Sequence, residues 1–317
     1  MRRPYGATRA GISPLGPRVC FGTVKRPPPF DPKSLPPGTT LGGKYELGAP
    51  IGWGEHSVVY VATHRLLERK AAVKILAKTD DATEKRFARE ARLAGSLSAP
   101  NIVEVYEIGR LDDGRAFMVM EYLEGETLED RLQRKGPFSI HEAMSYGQQL
   151  LHALAVAHEA QIVHRDLRPE NIFMARVRGE EVLKVVDFGI SRRFGNAGDS
   201  HLTRPGELLG SVGFLAPEQL YEDGVIDHRT DLYAVGVLLY RLLTGRLPFE
   251  GKGSMLLIQV VEKEPAPPSA HRKELTADVD RVLLTALSKK KEDRFSDAEG
   301  MAEALRLTSL FAQYVSD

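Results

Sequence analysis

A single cysteine stands in the 317 residues. One thiol excludes an internal disulfide framework and a cysteine-rich metal site, and Cys20 lies in the amino-terminal tail, where it reads as an inert exposed thiol. Long apolar runs are missing as well. The longest, Tyr233 to Tyr240, is far short of the ~20 residues that a membrane helix needs. The amino terminus carries arginines but no apolar segment of the secretory kind, so the cytoplasm is the expected location. There is no excess of charge of one sign: Lys+Arg and Asp+Glu both number 43. Net charge therefore points to neither nucleic acid nor a membrane surface as partner.

That balance conceals an asymmetry. Residues 1–43 carry Arg2, Arg3, Arg9, Arg18, Lys25, Arg26 and Lys33 against Asp31 alone, and nine of the nineteen prolines. The segment shows no periodicity and reads as a disordered basic tail. A contact with an anionic surface and a proline-motif ligand at Pro29–Pro32 are its functional readings, beside that of a solvated leader. From Lys44 the composition is that of a globular chain, 42% hydrophobic overall and long enough for a sizeable core.

Tyr45 to Ile51 leads into Gly52-Trp53-Gly54-Glu55-His56-Ser57 and then Val58-Val59-Tyr60-Val61. In dinucleotide-binding and P-loop folds a glycine loop opens a helix, whereas this one opens a β-branched run. No Gly-Lys-Ser/Thr follows, so Walker A fails too. Strand, glycine loop and strand form a hairpin whose backbone can lie over phosphates. A third strand, Ala71 to Leu76, holds Lys74 among apolar neighbours; an unpaired buried ammonium is costly, so a partner is needed. Glu90 lies on a helix expected over 82–97, as a partner for Lys74 or as part of a charged helix face. Strands are expected over Ile102–Ile108 and Phe117–Met120, with a turn at Asp112-Asp113-Gly114.

Beyond this strand-rich part the pattern is mostly helical. Ser139 and Glu142 make a capping-box start to a helix reaching Ala160. His152 and His158 stand six apart on it, poorly placed for a shared metal, and read as core or surface histidines. The loop His164-Arg165-Asp166-Leu167-Arg168-Pro169-Glu170-Asn171 is pinned between Ile162-Val163 and Ile172-Phe173-Met174, with a proline that keeps it from becoming a helix. An apolar strand, Glu181–Val186, ends in Asp187-Phe188-Gly189. Further helices are expected from Asp231, too apolar for a surface element and closed by Gly245, and over 276–287 and 296–308.

The loop at 164–171 resembles the catalytic loop of protein kinases, and Asp187-Phe188-Gly189 and Ala216-Pro217-Glu218 resemble that family's metal-binding and segment-closing motifs. Across residues 44–308 the separated motifs fall in kinase order, and Pro169-Glu170-Asn171 and the Gly210 to Glu218 stretch look like the bacterial, Hanks-type serine/threonine branch. The resemblance implies an α+β, bilobal kinase fold at 44–310: a small lobe at 44–121, strand-rich with one helix, and a larger mainly helical lobe at 124–310. Residues 311–317 are expected to form the carboxyl end, and no appended sensor or anchor is expected. It also implies a serine/threonine protein kinase that takes the γ-phosphate of ATP with Mg²⁺ or Mn²⁺, with protein substrates and transient self-association for phosphorylation in trans. Asp166 is then the residue that orients and deprotonates the acceptor hydroxyl. Arg168 lies near the transferred phosphoryl group, and Lys74, paired with Glu90, on the α/β-phosphates. Asn171 and Asp187 hold the metal. Ile51, Val59, Ala72, Met120, Glu121, Leu123 and Phe173 line the adenine site, and residues 52–57 cover the phosphates. Asp231 bonds the catalytic-loop backbone, and Arg294 pairs with Glu218. Arg165 docks a phosphorylated activation segment with Ser200 and Thr203 as acceptors. Two positions depart from the pattern: Ser57 replaces the third glycine, and Arg168 replaces lysine. They motivate the rival reading, a pseudokinase that binds ATP or acts as a scaffold. A small-molecule phosphotransferase on the same fold is a third reading.

Overall fold

A computed structural model describes residues 35–54, 57–77, 81–187, 212–221 and 224–311. The small lobe is an antiparallel sheet of β1 (Thr40–Leu41), β2 (Tyr45–Trp53), β3 (Ser57–His64), β4 (Arg69–Leu76), β5 (Val105–Arg110) and β6 (Ala116–Glu121), in spatial order β1-β2-β3-β4-β6-β5. Side chains alternate between the two faces of a strand. Val59, Ala72, Leu76, Met118 and Met120 enter an inner cluster, and Val58, Tyr60, Val73, Ile75 and Val119 an outer one. The helix α1 (Asp81–Ser96) follows β4 and buries Phe87, Ala91 and Ala94, a helical i, i+4, i+7 stripe.

Residues 35–43 belong to this lobe rather than to a tail ending at residue 43. Leu41 is 2% exposed, Thr40 and Leu41 pair with Glu46 and Tyr45, and the Leu35 amide donates to the Tyr60 hydroxyl at 2.6 Å. The outer face of the sheet is apolar and needs cover, which Leu35 and Leu41 supply. That demand is invisible in a proline-rich stretch read by itself. Residues 1–34 lie outside the described residues.

A second sheet, β7 (Gly125–Thr127), β8 (Ile172–Val177) and β9 (Glu180–Val185), sits at the start of the large lobe. The helices are α2 (Leu128–Lys135), α3 (Ile140–Glu159), α4 (Arg229–Thr244), α5 (Ser254–Glu262), α6 (Ala277–Ala286) and α7 (Ala298–Arg306). Ser139 caps α3 through the reciprocal bonds with Glu142. Nearly every side chain of α4 is buried, and Gly245 ends it at φ 75° with its amide on the Arg241 carbonyl, the left-handed cap that glycine adopts without strain. The strand expected from Ile102 begins only at Val105. Ile102 instead forms a parallel bridge with Val185, and the Val103 amide donates to the Val185 carbonyl at 3.0 Å. Residues 101–103 thus tie the small lobe to β9.

Candidate active site

The loop at 164–171 is held from beneath. Asp231, fully buried at the start of α4, accepts the backbone amides of His164 and Arg165, each at 2.8 Å. His158 of α3 lies with Nε2 2.8 Å from the same carboxylate. His158 therefore braces the loop, a role that its position on an apolar helix face does not disclose. The bracing matters because Arg165 has φ 67°, a left-handed conformation that a side-chain-bearing residue adopts at a cost of about 1–2 kcal/mol. Gln219 adds a bond from Nε2 to the Arg165 carbonyl at 2.9 Å. Burial lowers the pKa of the enclosed His164 below its ordinary value against the pull of Asp231.

Further along the loop, Asn171 Nδ2 donates to the Asp166 carbonyl at 2.9 Å and to its carboxylate at 3.3 Å. The side chain of Arg168 stands between carboxylates, 3.8 Å from Asp166 and 4.0 Å from Glu170. The pairing of Ile172 with Val185 and the bond from the Val186 amide to the Asn171 carbonyl bring Asn171 beside Asp187. Asp187 also has a positive φ, 54°.

Lys74 meets Asp187 from the small lobe, Nζ to Oδ1 at 2.7 Å, and Glu90 at 3.4 Å. Burial alone would lower the lysine pKa. The carboxylates of Asp187 and then Glu90 outweigh it and raise the pKa, so the ammonium stays charged. Glu90 moves up through burial, with Lys74 opposing. Strand β4, helix α1 and the end of β9 thus converge on one ion-paired point, as the pairing of Lys74 with Glu90 requires.

Beside this point lies an apolar sleeve. Val59, Ala72, Met120, Leu123 and Phe173 share the inner cluster, with Ile51 packed against it. Trp53 does not join them. Gly52 opposes Val59 and Trp53 opposes Val58, which turns the indole to the outer face, where it packs against the other cluster. A role for Trp53 in a nucleotide site is therefore confined to its backbone. Glu121 carries a partner that sequence reasoning missed: the buried Lys184 lies 2.7 Å from its carboxylate and 3.4 Å from the Ile102 carbonyl. A lysine inside the apolar run Val182–Val186 was the available signal. Glu55, His56, Ser200 and Thr203 lie outside the described residues.

At the base of the large lobe, Arg294 grips Glu218 with two bonds, at 2.7 and 2.8 Å. Thr230 adds a third at 2.7 Å. Burial would raise the Glu218 pKa, but the bonds from Arg294 outweigh it and the value falls below normal.

The donors fit a small hard cation completed by nucleotide oxygens and water. With Nδ2 on Asp166, Asn171 keeps its amide oxygen, and Asp187 keeps the oxygen not engaged by Lys74. Among the described residues no group of three or more His, Cys, Asp and Glu could hold a metal by itself.

Residues 45–306 match the protein kinase domain family. A probable serine/threonine-protein kinase of Corynebacterium efficiens is 41% identical over 281 residues, covering 85% of this chain and 42% of its own length. Serine/threonine-protein kinase PknB of Mycobacterium tuberculosis is 38% identical over 268 residues, with 82% and 42% covered. The chain thus spans about two fifths of the length of these curated relatives. The crystal structure of the Mycobacterium tuberculosis PknI kinase domain superposes with a TM-score of 0.67 at 26% identity, over 86% of this chain and 99% of that one. Fold, motif order and relatives agree: the chain belongs to the protein kinase family, among the bacterial serine/threonine kinases.

Proposed function

We propose that this chain transfers the γ-phosphate of ATP to serine and threonine hydroxyls of proteins. The observation that carries the reading is the ion-paired point where Lys74 meets Asp187 at 2.7 Å and Glu90 at 3.4 Å, beside the loop of Asp166 and Asn171. Phosphoryl transfer is mostly a matter of positioning and of neutralising charge on phosphate oxygens. A buried ammonium kept charged by two carboxylates suits the α/β-phosphates.

Adenine would enter the sleeve of Ile51, Val59, Ala72, Met120, Leu123 and Phe173. The Glu121 amide donates to the Glu104 carbonyl at 2.9 Å, so Glu121 would offer adenine its carbonyl, and Leu123 its amide. The backbone of the glycine loop covers the phosphates. Asp187 and the Asn171 amide oxygen would hold Mg²⁺, which supplies charge neutralisation at the phosphate oxygens. Asp166 accepts a hydrogen bond from the acceptor hydroxyl and takes its proton as the oxygen attacks the γ-phosphorus. The bond to the β-phosphate oxygen then breaks and ADP leaves. Arg168 keeps a fixed positive charge beside the phosphoryl path, with a wider fork than a lysine ammonium. Arg165 would dock a phosphorylated segment carrying Ser200 or Thr203, which two copies of the chain phosphorylate in trans.

The decisive experiment follows labelled γ-phosphate from ATP, with Mg²⁺ or Mn²⁺, onto the chain itself and a generic basic protein. Wild type runs beside Asp166→Asn and Lys74→Met. Label on serine or threonine in wild type alone is the expected result. An unlabelled wild type that ATP still stabilises thermally would instead be a pseudokinase.

A further inference from the structure

Strand β3 begins at Ser57, and its pairing fixes where that side chain projects. Ser57 opposes Leu76 and Val59 opposes Lys74 across β3 and β4. Directly opposed residues, and residues two apart along a strand, share one face of a sheet. Val59 and Leu76 both enter the inner cluster. The Ser57 hydroxyl therefore projects to the inner face, one position along from Val59 and diagonal to Lys74.

The other arm of the loop brings it to a defined place. The Gly54 amide donates to the Ser57 carbonyl at 2.8 Å, and a Cβ built on Gly54 would lie 3.0 Å from Ser57 Oγ. The hydroxyl thus lies against the Gly54 backbone, on the side of the loop that faces Lys74. A glycine at position 57 would offer a phosphate only its amide. A serine adds an O–H donor, and O–H bonds to a charged acceptor are roughly twice as strong as neutral ones.

We propose that the Ser57 side-chain hydroxyl donates a hydrogen bond to a phosphate oxygen of the bound nucleotide, making Ser57 a side-chain phosphate ligand at the place of the pattern's third glycine. The inference rests on the ATP reading and deepens it. It gives the replacement of the third glycine a role in nucleotide binding, where the sequence alone offers it as a mark of a pseudokinase.

Calorimetric titration of the full chain with ATP, ADP and adenosine, each with Mg²⁺, separates the two outcomes. Removing one hydrogen bond to a charged group lowers affinity about ten-fold. Ser57→Ala and Ser57→Gly should both lose about that factor for ATP and ADP. Adenosine, which has no phosphate, should bind all three proteins alike, and their melting temperatures should agree. Ser57→Ala binding ATP as tightly as wild type would overturn the proposal, and so would Ser57→Gly binding it more tightly. Transfer of labelled γ-phosphate, run in parallel, keeps the two readings apart. Wild type that binds ATP without transferring label fails the kinase reading and still reports on the hydroxyl. Label in wild type with unchanged affinities in both variants fails the hydroxyl alone.

Discussion

The carboxylate of Asp231 accepts the backbone amide of Arg165 at 2.8 Å, across 66 residues of sequence. Its second oxygen serves His164 and His158. One buried side chain thus fixes the backbone on the amino side of Asp166 in a conformation that the chain would otherwise avoid.

Asp231→Asn follows directly from this. An amide presents one accepting oxygen, and its NH₂ would face a donor. Leaving a buried donor unsatisfied costs about 1–3 kcal/mol. We expect kcat to fall roughly ten- to hundred-fold, by the usual 1.4 kcal/mol per decade, with KM for ATP nearly constant because the sleeve is untouched. Steady-state kinetics with a thermal melt check this; a rise in KM at constant kcat would refute it.

Glu90→Gln leaves the Lys74 ammonium with Asp187 as its remaining carboxylate partner. Breaking a buried pair outright costs about 3–5 kcal/mol; with Asp187 still at 2.7 Å we expect about half of that. Transfer should fall by roughly ten- to hundred-fold, while Lys74→Met should abolish it. Equal activity in wild type and Glu90→Gln would show that α1 contributes nothing through this pair.

The Glu218–Arg294 pair carries a pH signature. The folded-state pKa of Glu218 lies below the ordinary carboxylate value because of the Arg294 bonds. Its stabilisation is therefore complete above the ordinary value of about 4.3 and is lost as pH falls through the depressed folded-state value. Glu218→Gln should melt well below wild type at pH 7, and the gap should narrow as the pH is lowered below about 4.3. A gap that stays constant over this range would contradict the assignment.

The outer face of the small lobe yields a prediction about position rather than charge. Trp53→Ala removes an indole from that face, so the melting temperature should fall while Kd for ATP stays within about two-fold. Deleting residues 1–34 should leave the melt unchanged. Deleting 1–41 should lower stability by about 1.5–3 kcal/mol for loss of buried Leu41 alone. Denaturant melts of the two truncations decide whether the folded domain begins near residue 35.

The motifs of the site were legible because each is local: Lys74 in a strand, Asp166 and Asn171 in one loop, Asp187 at a strand end. Their chemistry requires those residue types at those places, and the resemblance to protein kinases followed from their order. The pairings of Asp231 and of Arg294 with Glu218 were expected only through that resemblance, since nothing local in an apolar helix announces them. Tertiary structure alone decided the rest. Trp53 faces outward because the register of β2 against β3 pairs it with Val58, a choice that a glycine-rich stretch leaves open. Residues 35–41 fold because an apolar sheet face that spans β2, β3, β4 and β6 has to be covered. His158 and Lys184 gain their roles from partners 73 and 63 residues away, and a buried polar group is explained only by the partner that satisfies it.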